Sequence, residues 1–147
     1  MIKRCHSIDN SGWLTLRQAL WSHCTTQEHL AEMDTWCSDP DRYAAFVAFA
    51  ESGEAVGFVE ASIRHDYVNG TDSSPVGYLE GLYVAPPFRR RGIARELVLT
   101  VEAWVARAGC RELASDTDIG NVVSRQAHRA LGFEETEHVV FFRRRLV

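Results

Sequence analysis

Apolar and polar positions follow two patterns along the chain, one typical of strands and one typical of helices. Apolar-rich runs with strand character cover residues 2–8, 43–50, 55–64, 76–84, 111–115 and 137–144. Apolar residues at three- and four-residue spacing predict helices around 13–21, 27–36, 94–108 and 121–131. The order β-α-α-β-β-β-α-β-α-β predicts an α/β fold whose mixed sheet carries helices on both faces.

Turn and cap residues separate these elements. Asn10 or Ser11 is suitably placed to cap the first helix, and Thr25 or Thr26 the second. The residues at 51–54 indicate a hairpin turn between two strands. Neither an internal repeat nor a linker interrupts the pattern, so a single domain over residues 1–147 is expected.

Composition and charge narrow the classes of function. A formal net charge of −4 argues against a nucleic-acid binder, and no apolar run is long enough to suggest a membrane span. The four cysteines are scattered without zinc or redox spacing, which predicts no metal site and favours a reducing cytoplasm. An acidic surface would attract a cationic small molecule.

The junction at residues 78–94 carries the strongest chemical signal. An apolar strand stops at Pro86-Pro87, and the basic run Arg89-Arg90-Arg91-Gly92 then opens directly into a long amphipathic helix. Free amides in the first turn of a helix, together with its dipole, favour a bound anion. A solvated basic surface is the alternative, but the strand on one side and the helix on the other favour an anion site.

This junction resembles the acetyl-CoA loop of the GNAT N-acetyltransferases, whose pattern is Arg/Gln-x-x-Gly-x-Gly/Ala. The resemblance implies a GNAT fold with splayed middle strands, acetyl-CoA as co-substrate and no metal. It also implies that main-chain amides at about 91–94 hold the coenzyme pyrophosphate, while an amide near Leu82 faces the thioester oxygen. The coenzyme-binding residues implied in this way are Leu82, Tyr83, Val84, Arg89, Arg90, Arg91, Gly92, Ile93, Ala94, Arg95 and Asn121.

A second segment, residues 121–133, resembles the family's other coenzyme motif. Asn121 is expected to hydrogen-bond the pantetheine arm. His128 stands where many members carry a tyrosine that protonates the departing thiolate. An imidazolium could donate this proton, or His128 could simply pack near the coenzyme, and the sequence leaves both interpretations open.

Beyond these motifs, nearly the whole chain resembles the aminoglycoside 6′-N-acetyltransferases. Residues 61–70, 73–75, 79–81, 114–116 and 131–137 carry this resemblance. It implies direct acetyl transfer from acetyl-CoA to the 6′-amine of an aminoglycoside in a ternary complex, which confers antibiotic resistance. It also implies a homodimer, and an apolar terminal strand at 139–142 near a sheet edge supports this expectation.

Three acidic residues support a cationic substrate independently of the resemblance. Glu80 lies in the strand beside the coenzyme loop, Asp116 ends the neighbouring strand, and Glu137 starts the terminal strand. Ammonium groups need such carboxylates. We expect all three to bind substrate, and Glu80 or Asp116 to act as the catalytic base, although a purely positioning role for both stays open.

Trp21 and Tyr67 could supply flat surfaces for sugar rings, although Trp21 taken alone favours core packing. Relatives often place a substrate-contacting histidine three or four residues after a tryptophan. The sequence Trp21-Ser22-His23-Cys24 departs from that spacing, so either His23 reaches the pocket or Cys24 occupies the position without the contact.

Two other functions remain open from sequence. A GNAT acetyltransferase acting on a polyamine or a protein amine needs a similar acidic pocket. A non-catalytic acyl-CoA sensor is the alternative from another class, but retention of Glu80 and of the coenzyme loop argues against it.

Overall fold

The computed structural model describes residues 1–10 and 12–147, and in that part of the chain five strands form one sheet. The strands are β1 (Ile2–Arg4), β2 (Tyr43–Phe49), β3 (Ala55–Arg64), β4 (Val76–Val84) and β5 (Leu113–Ala114). The helices are α1 (Trp13–Leu20), α2 (Thr26–Ser38), α3 (Ile93–Arg107) and α4 (Val122–Ala130), and a short 3-10 helix spans Pro86–Phe88.

The sheet is mixed, and its order follows the chain from β1 to β5. The first four strands pair antiparallel, whereas β5 runs parallel to β4. The β4–β5 pairing covers only Gly77 with Leu113 and Tyr78 with Ala114. Since β4 continues to Val84, most of its length lies beyond this pairing, as expected for splayed middle strands.

Helices pack on both faces of the sheet, as the sequence predicts. On one face α3 buries an apolar stripe against β2, β3 and β4; the stripe comprises Leu97, Val101, Trp104 and Val105. On the other face Trp13 and Met33, from α1 and α2, pack with Phe58 of β3. Each of these three side chains is fully buried.

The helix caps agree with the sequence in part. Thr25 caps α2 with a reciprocal capping box, because its hydroxyl accepts from Glu28 N and the Glu28 carboxylate accepts from Thr25 N. The N-cap of α1 is instead Gly12, which has a φ of 81°. The Asn10 prediction is therefore wrong, since its carboxamide oxygen accepts from His6 N. Ser11, the alternative cap, lies outside the described residues.

Two predicted strands are shorter than the sequence suggests. Strand β1 stops at Arg4 rather than residue 8, because a turn closed by Asn10 N donating to Ser7 O follows. Strand β5 contains two residues rather than the five predicted at 111–115. Divergence of β4 removes the hydrogen-bonding partner that a longer β5 would need.

The terminal strand predicted at 137–144 is wrong for this structure. The described chain after residue 133 contains no strand, and Val140, Phe141 and Phe142 are 75%, 88% and 91% exposed. Apolar, β-branched and aromatic residues fit a strand, but a strand exists only where another strand pairs with it. Residues 139–142 therefore form an apolar segment exposed to solvent, and Arg143, Arg144 and Arg145 follow it.

Candidate active site

The coenzyme loop shapes its main chain as an anion-binding concavity. Arg90 and Gly92, the residues on either side of Arg91, have left-handed backbone conformations with φ of 62° and 82°. The first α3 hydrogen bond runs from Glu96 N to Gly92 O at 3.0 Å. The amides of Ile93 and Ala94 therefore precede the helical ladder and are available to an anion.

The arginines in and beside this loop differ in their contacts with the rest of the protein. Arg89 Nε donates to Val84 O at 2.8 Å, so this side chain fastens the loop to the end of β4. Arg91 lies over the Phe88 ring at 5.5 Å. Arg90 and Arg95 are exposed. Main-chain amides are thus available for directional contacts to an anion, and the exposed guanidinium groups of Arg90 and Arg95 add positive charge.

The β4 residues before the loop divide between the two faces of the sheet. Leu82 and Val84 pack with the α3 core, whereas Tyr83 packs with the α1–α2 core. A register shift in the β3–β4 pairing leaves Glu80 without a paired residue between Leu79 and Gly81. Such a bulge re-aims a side chain next to an active site.

Glu80 contacts one cation, Arg64, and Asp116 lies near the same cation and near the Tyr78 phenol. The Glu80 carboxylate accepts from Ser62 Oγ at 2.7 Å and from Arg64 Nη2 at 2.8 Å. Burial raises the pKa of the Tyr78 phenol, and the neighbouring Asp116 carboxylate raises that pKa further. The charge of Asp116 also acts on Arg64. The two acids predicted from sequence therefore belong to one cluster.

Sequence reasoning missed Ser62, Arg64 and Tyr78 as members of this cluster. Ser62 and Arg64 are two apart on β3, and Tyr78 and Glu80 are two apart on β4, so each pair fits one face of a strand. The register pairs Ser62 with Tyr78. Alternation alone could have indicated each pair, but only the register brings the two pairs together.

Tyr67 and Glu137 both lie at the loop between β3 and β4. Tyr67 is 75% exposed in the loop between β3 and β4. A Cβ on Gly70, in the same loop, would clash with Thr136 Oγ1 and contact Glu137 Cβ at 3.7 Å. The structure thus places Glu137 against this loop and corrects its predicted position at the start of a strand.

Trp21 follows α1 and packs against β4. Its ring meets Phe58 edge-on at 5.8 Å between centroids, and a Cβ added to Gly81 would come within 2.5 Å of the ring. Trp21 therefore serves the core and also lies beside the Glu80 bulge. His23 is exposed on the following turn, whereas Cys24 is half-buried.

His128 has both ring nitrogens engaged. Its Nδ1 lies 2.7 Å from Ser124 O, and its Nε2 lies 2.7 Å from Ser115 Oγ. Because a carbonyl oxygen only accepts, Nδ1 carries a proton. The ring also packs edge-on against Phe133. His128 is thus connected to Ser115, the residue before Asp116.

Asn121 caps α4, because its carboxamide oxygen accepts from Ser124 N at 3.0 Å. This bond uses the oxygen and leaves the Nδ2 group to face other partners. Among residues 1–10 and 12–147, no three His, Cys, Asp or Glu side chains are grouped as metal ligands. Within the same residues no helix is long and apolar enough to cross a membrane.

Strands β4 and β5 diverge, and the loop after β4 presents free main-chain amides. This arrangement fits the acyltransferase class that the sequence resembles. Residues 10–133 match the model described as the acetyltransferase (GNAT) family. The chain belongs to this family, so the resemblance and the fold predicted from sequence are both confirmed.

Particular relatives are similar over almost the whole chain. Aminoglycoside N(6′)-acetyltransferase type 1 of Salmonella enteritidis is 51% identical, over 98% of each chain. AAC(6′)-Iy in complex with the bisubstrate analogue CoA-S-monomethyl-acetylneamine has a TM-score of 0.92 and 48% identity, covering 99% of this chain and 97% of that one. Aminoglycoside antibiotic 6′-N-acetyltransferase AAC(6′)-Ih of Acinetobacter baumannii has a TM-score of 0.94 and 41% identity, covering 100% and 99%.

Proposed function

We propose that this protein transfers the acetyl group of acetyl-CoA to the 6′-amine of aminoglycoside antibiotics. The observation that carries the proposal is the cluster in which Glu80 contacts Arg64 and Asp116 lies nearby, just beyond the point where β4 and β5 stop pairing. Carboxylates there attract a polycationic acceptor close to where a thioester would lie. Similarity to aminoglycoside 6′-N-acetyltransferases of 41–51% identity supports the same acceptor.

The coenzyme occupies the gap between β4 and β5. Pantetheine lies along β4 beyond Tyr78, where the pairing with β5 has ended. The amides at 91–94 bind the pyrophosphate, with Arg90, Arg91 and Arg95 adding charge. Asn121 Nδ2 donates to the pantetheine arm. An amide near Leu82 stabilises the oxyanion of the tetrahedral intermediate.

The reaction is direct attack of the neutral amine on the thioester carbonyl. Glu80 and Asp116 hold the acceptor, and one of them takes the ammonium proton directly or through water. We expect Trp21, whose ring lies beside Gly81, and the exposed Tyr67, Glu137 and His23 to contact the acceptor. Bringing both substrates together in one complex supplies much of the remaining rate enhancement.

His128 supplies the proton for the departing thiolate through Ser115. The Ser115 hydroxyl gives its proton to the sulfur and receives one from Nε2 of the His128 imidazolium. The ring then becomes the neutral tautomer with its proton on Nδ1, facing Ser124 O. This route uses the contacts of the imidazole and needs no covalent acetyl-enzyme.

The alternative acceptor is a polyamine or a protein amine, which would also suit a cluster of carboxylates. The discriminating experiment is a thiol-release assay with acetyl-CoA against kanamycin-type aminoglycosides, 6′-hydroxyl analogues, spermidine and a lysine peptide. We expect turnover with the 6′-amino compounds alone and acetate on the 6′-nitrogen by NMR. Acetate on a different amine, or preference for spermidine or peptide, would contradict the proposal.

Two further features belong to the proposal. The protein acts in the cytoplasm, which the four free thiols favour. It also forms a homodimer in which the exposed segment 139–142 pairs with a second copy. Exposed Val140, Phe141 and Phe142 support this, since a contiguous apolar segment on the surface of a protein marks an interface.

A further inference from the structure

A buried polar network lies beneath Trp21 on the α1–α2 face of the sheet. Arg17, His29 and Glu60 are 1%, 0% and 1% exposed. Arg17 Nη1 donates to Glu60, and its Nη2 donates to Glu32. Trp13 Nε1 donates to the same Glu60 oxygen at 3.0 Å. The network thus joins α1, α2 and β3.

The contacts of His29 fix its tautomer. Arg17 Nε approaches His29 Nδ1 at 3.3 Å, and an arginine nitrogen only donates, so Nδ1 is the acceptor. His29 Nε2 therefore carries the proton and donates to Trp21 O at 3.1 Å. A neutral imidazole in one orientation consequently connects the guanidinium to the main chain of Trp21.

Trp21 is held from three directions. His29 binds its carbonyl, and the Arg17 guanidinium lies 4.8 Å from the centre of its ring. The far edge of the indole rests on Gly81, where only a glycine leaves room. Glu60 is the register partner of Gly81, so the network and the Glu80 bulge meet at one point of the sheet.

A buried ion pair of this kind is weak evidence for stability. Apolar side chains of similar volume often stabilise a core equally well or better, because two desolvated charges lose hydration. A network that contacts both the carbonyl and the indole of Trp21 is more consistent with a role in positioning this side chain. We propose that Arg17, His29 and Glu60 are positioning residues that hold Trp21 against Gly81 as the wall of the acceptor pocket.

This inference rests on the proposed function, and His29 offers a matched pair of variants to test it. In His29→Gln the side-chain amide can reach the position of Nε2 and still donate to Trp21 O. In His29→Asn the carbonyl oxygen replaces Nδ1 as acceptor for Arg17, but the donor to Trp21 is lost. Both variants keep a polar group of similar size at the same buried place.

The expected result separates the two contacts of His29. We expect His29→Asn to raise the KM for the aminoglycoside roughly three- to tenfold, while His29→Gln stays within about twofold of the unaltered enzyme. The KM for acetyl-CoA should not change in either variant. In a Trp21→Ala background the His29→Asn effect should disappear. The carbonyl of residue 21 is still there, but the indole that the contact positions is gone.

Each other outcome decides against the inference. Equal defects in the two variants, or a larger defect in His29→Gln, would mean that contact with Arg17 or packing is what matters. Two variants with unaltered kinetics would show that the Trp21 contact has no role. Thermal melting checks that both are folded. Failure of the unaltered enzyme to acetylate any aminoglycoside would instead refute the proposed function itself.

Discussion

The guanidinium carbon of Arg64 lies 3.6 Å from the centre of the Tyr78 ring, while Arg64 Nη2 donates to Glu80 at 2.8 Å. Stacking on an aromatic face holds a guanidinium in place and adds a cation–π attraction. Arg64 therefore offsets part of the negative charge that Glu80 and Asp116 bring to the cluster. The pocket attracts cations with less than the full charge of two carboxylates.

Removing this cation should change the salt response of the enzyme. On the proposed function, Arg64→Gln leaves two carboxylates uncompensated, so log KM for an aminoglycoside should rise more steeply with log salt concentration. Arg64→Lys keeps the charge and serves as the control. Steady-state kinetics over a range of salt concentrations measures both slopes, and equal slopes for Gln and the unaltered enzyme would contradict the assignment.

Gly92 offers a test of the coenzyme loop. A Cβ at this position meets open space, but the φ of 82° strains most side chains. Asn and Asp both adopt that conformation more readily than most residues, so Gly92→Asn controls for the backbone. We expect Gly92→Asp to bind acetyl-CoA at least about tenfold more weakly than Gly92→Asn, because a carboxylate repels the pyrophosphate. Titration calorimetry that finds equal affinities would place the pyrophosphate elsewhere.

The acids should separate acceptor binding from coenzyme binding. On the proposed function, the bound aminoglycoside covers Glu80 and Asp116, so Glu80→Gln and Asp116→Asn should each reduce transition-state stabilisation by about 2–5 kcal/mol, measured from kcat/KM for the aminoglycoside. Glu137→Gln should cost less, since Glu137 lies on the exposed segment after α4 and has no contact with Arg64 or Tyr78 in the described structure. Acetyl-CoA affinity should stay unchanged in all three variants. Unaltered aminoglycoside kinetics in all three would refute the acidic pocket.

Glu60 predicts a pH-dependent stability. Burial raises the pKa of Glu60 to about 7, although Arg17 and Trp13 act in the opposite direction. Between the ordinary pKa of a glutamate and about 7, the folded state binds more protons than the unfolded state, so this group's contribution to the free energy of unfolding falls as pH rises. Denaturant titrations of Glu60→Gln should lack this part of the decline.

The control for that experiment is Glu51→Gln, an exposed carboxyl in the hairpin turn. Its pH dependence should match that of the unaltered protein. If Glu60→Gln also retains the full decline between about pH 4.5 and 7, the buried carboxyl titrates normally and the assignment is wrong.

The exposed terminal segment predicts the oligomeric state. Light scattering at micromolar concentration should give a dimer for the unaltered protein and a monomer for Phe141→Asp/Phe142→Asp, since buried uncompensated charges oppose association. Arg143→Asp is a control with a charge change at a neighbouring residue and should remain a dimer. If the unaltered protein is a monomer, the proposed homodimer is wrong.

Local patterns predicted most of the fold because they report properties of neighbouring residues. Apolar spacing located the four helices, residue type offered Thr25 or Thr26 as the cap of α2, of which Thr25 is the cap in the structure, and alternation located strands β2 to β4. The segment at 137–144 failed because alternation indicates which side chains share a face but not whether another strand lies beside them.

Sequence reasoning could propose candidate site residues together where one stretch of chain carries them. The coenzyme loop is continuous in sequence, so its residues could be named together. The Arg17 network could not be found in this way, because Glu60 lies 43 residues from Arg17 and His29 lies 12 away. Arg64 and Tyr78 likewise meet only through the β3–β4 register.

The coenzyme loop offers its ligand main-chain amides, which every amino acid except proline possesses. On the proposed function, the pyrophosphate of acetyl-CoA is therefore recognised mainly by the shape of the main chain, whereas the aminoglycoside is recognised by the identity of side chains. Exposed positions such as His23, Tyr67 and Glu137 can change with little cost to folding. The range of antibiotics can thus evolve by single surface substitutions while the acetyl donor remains the same.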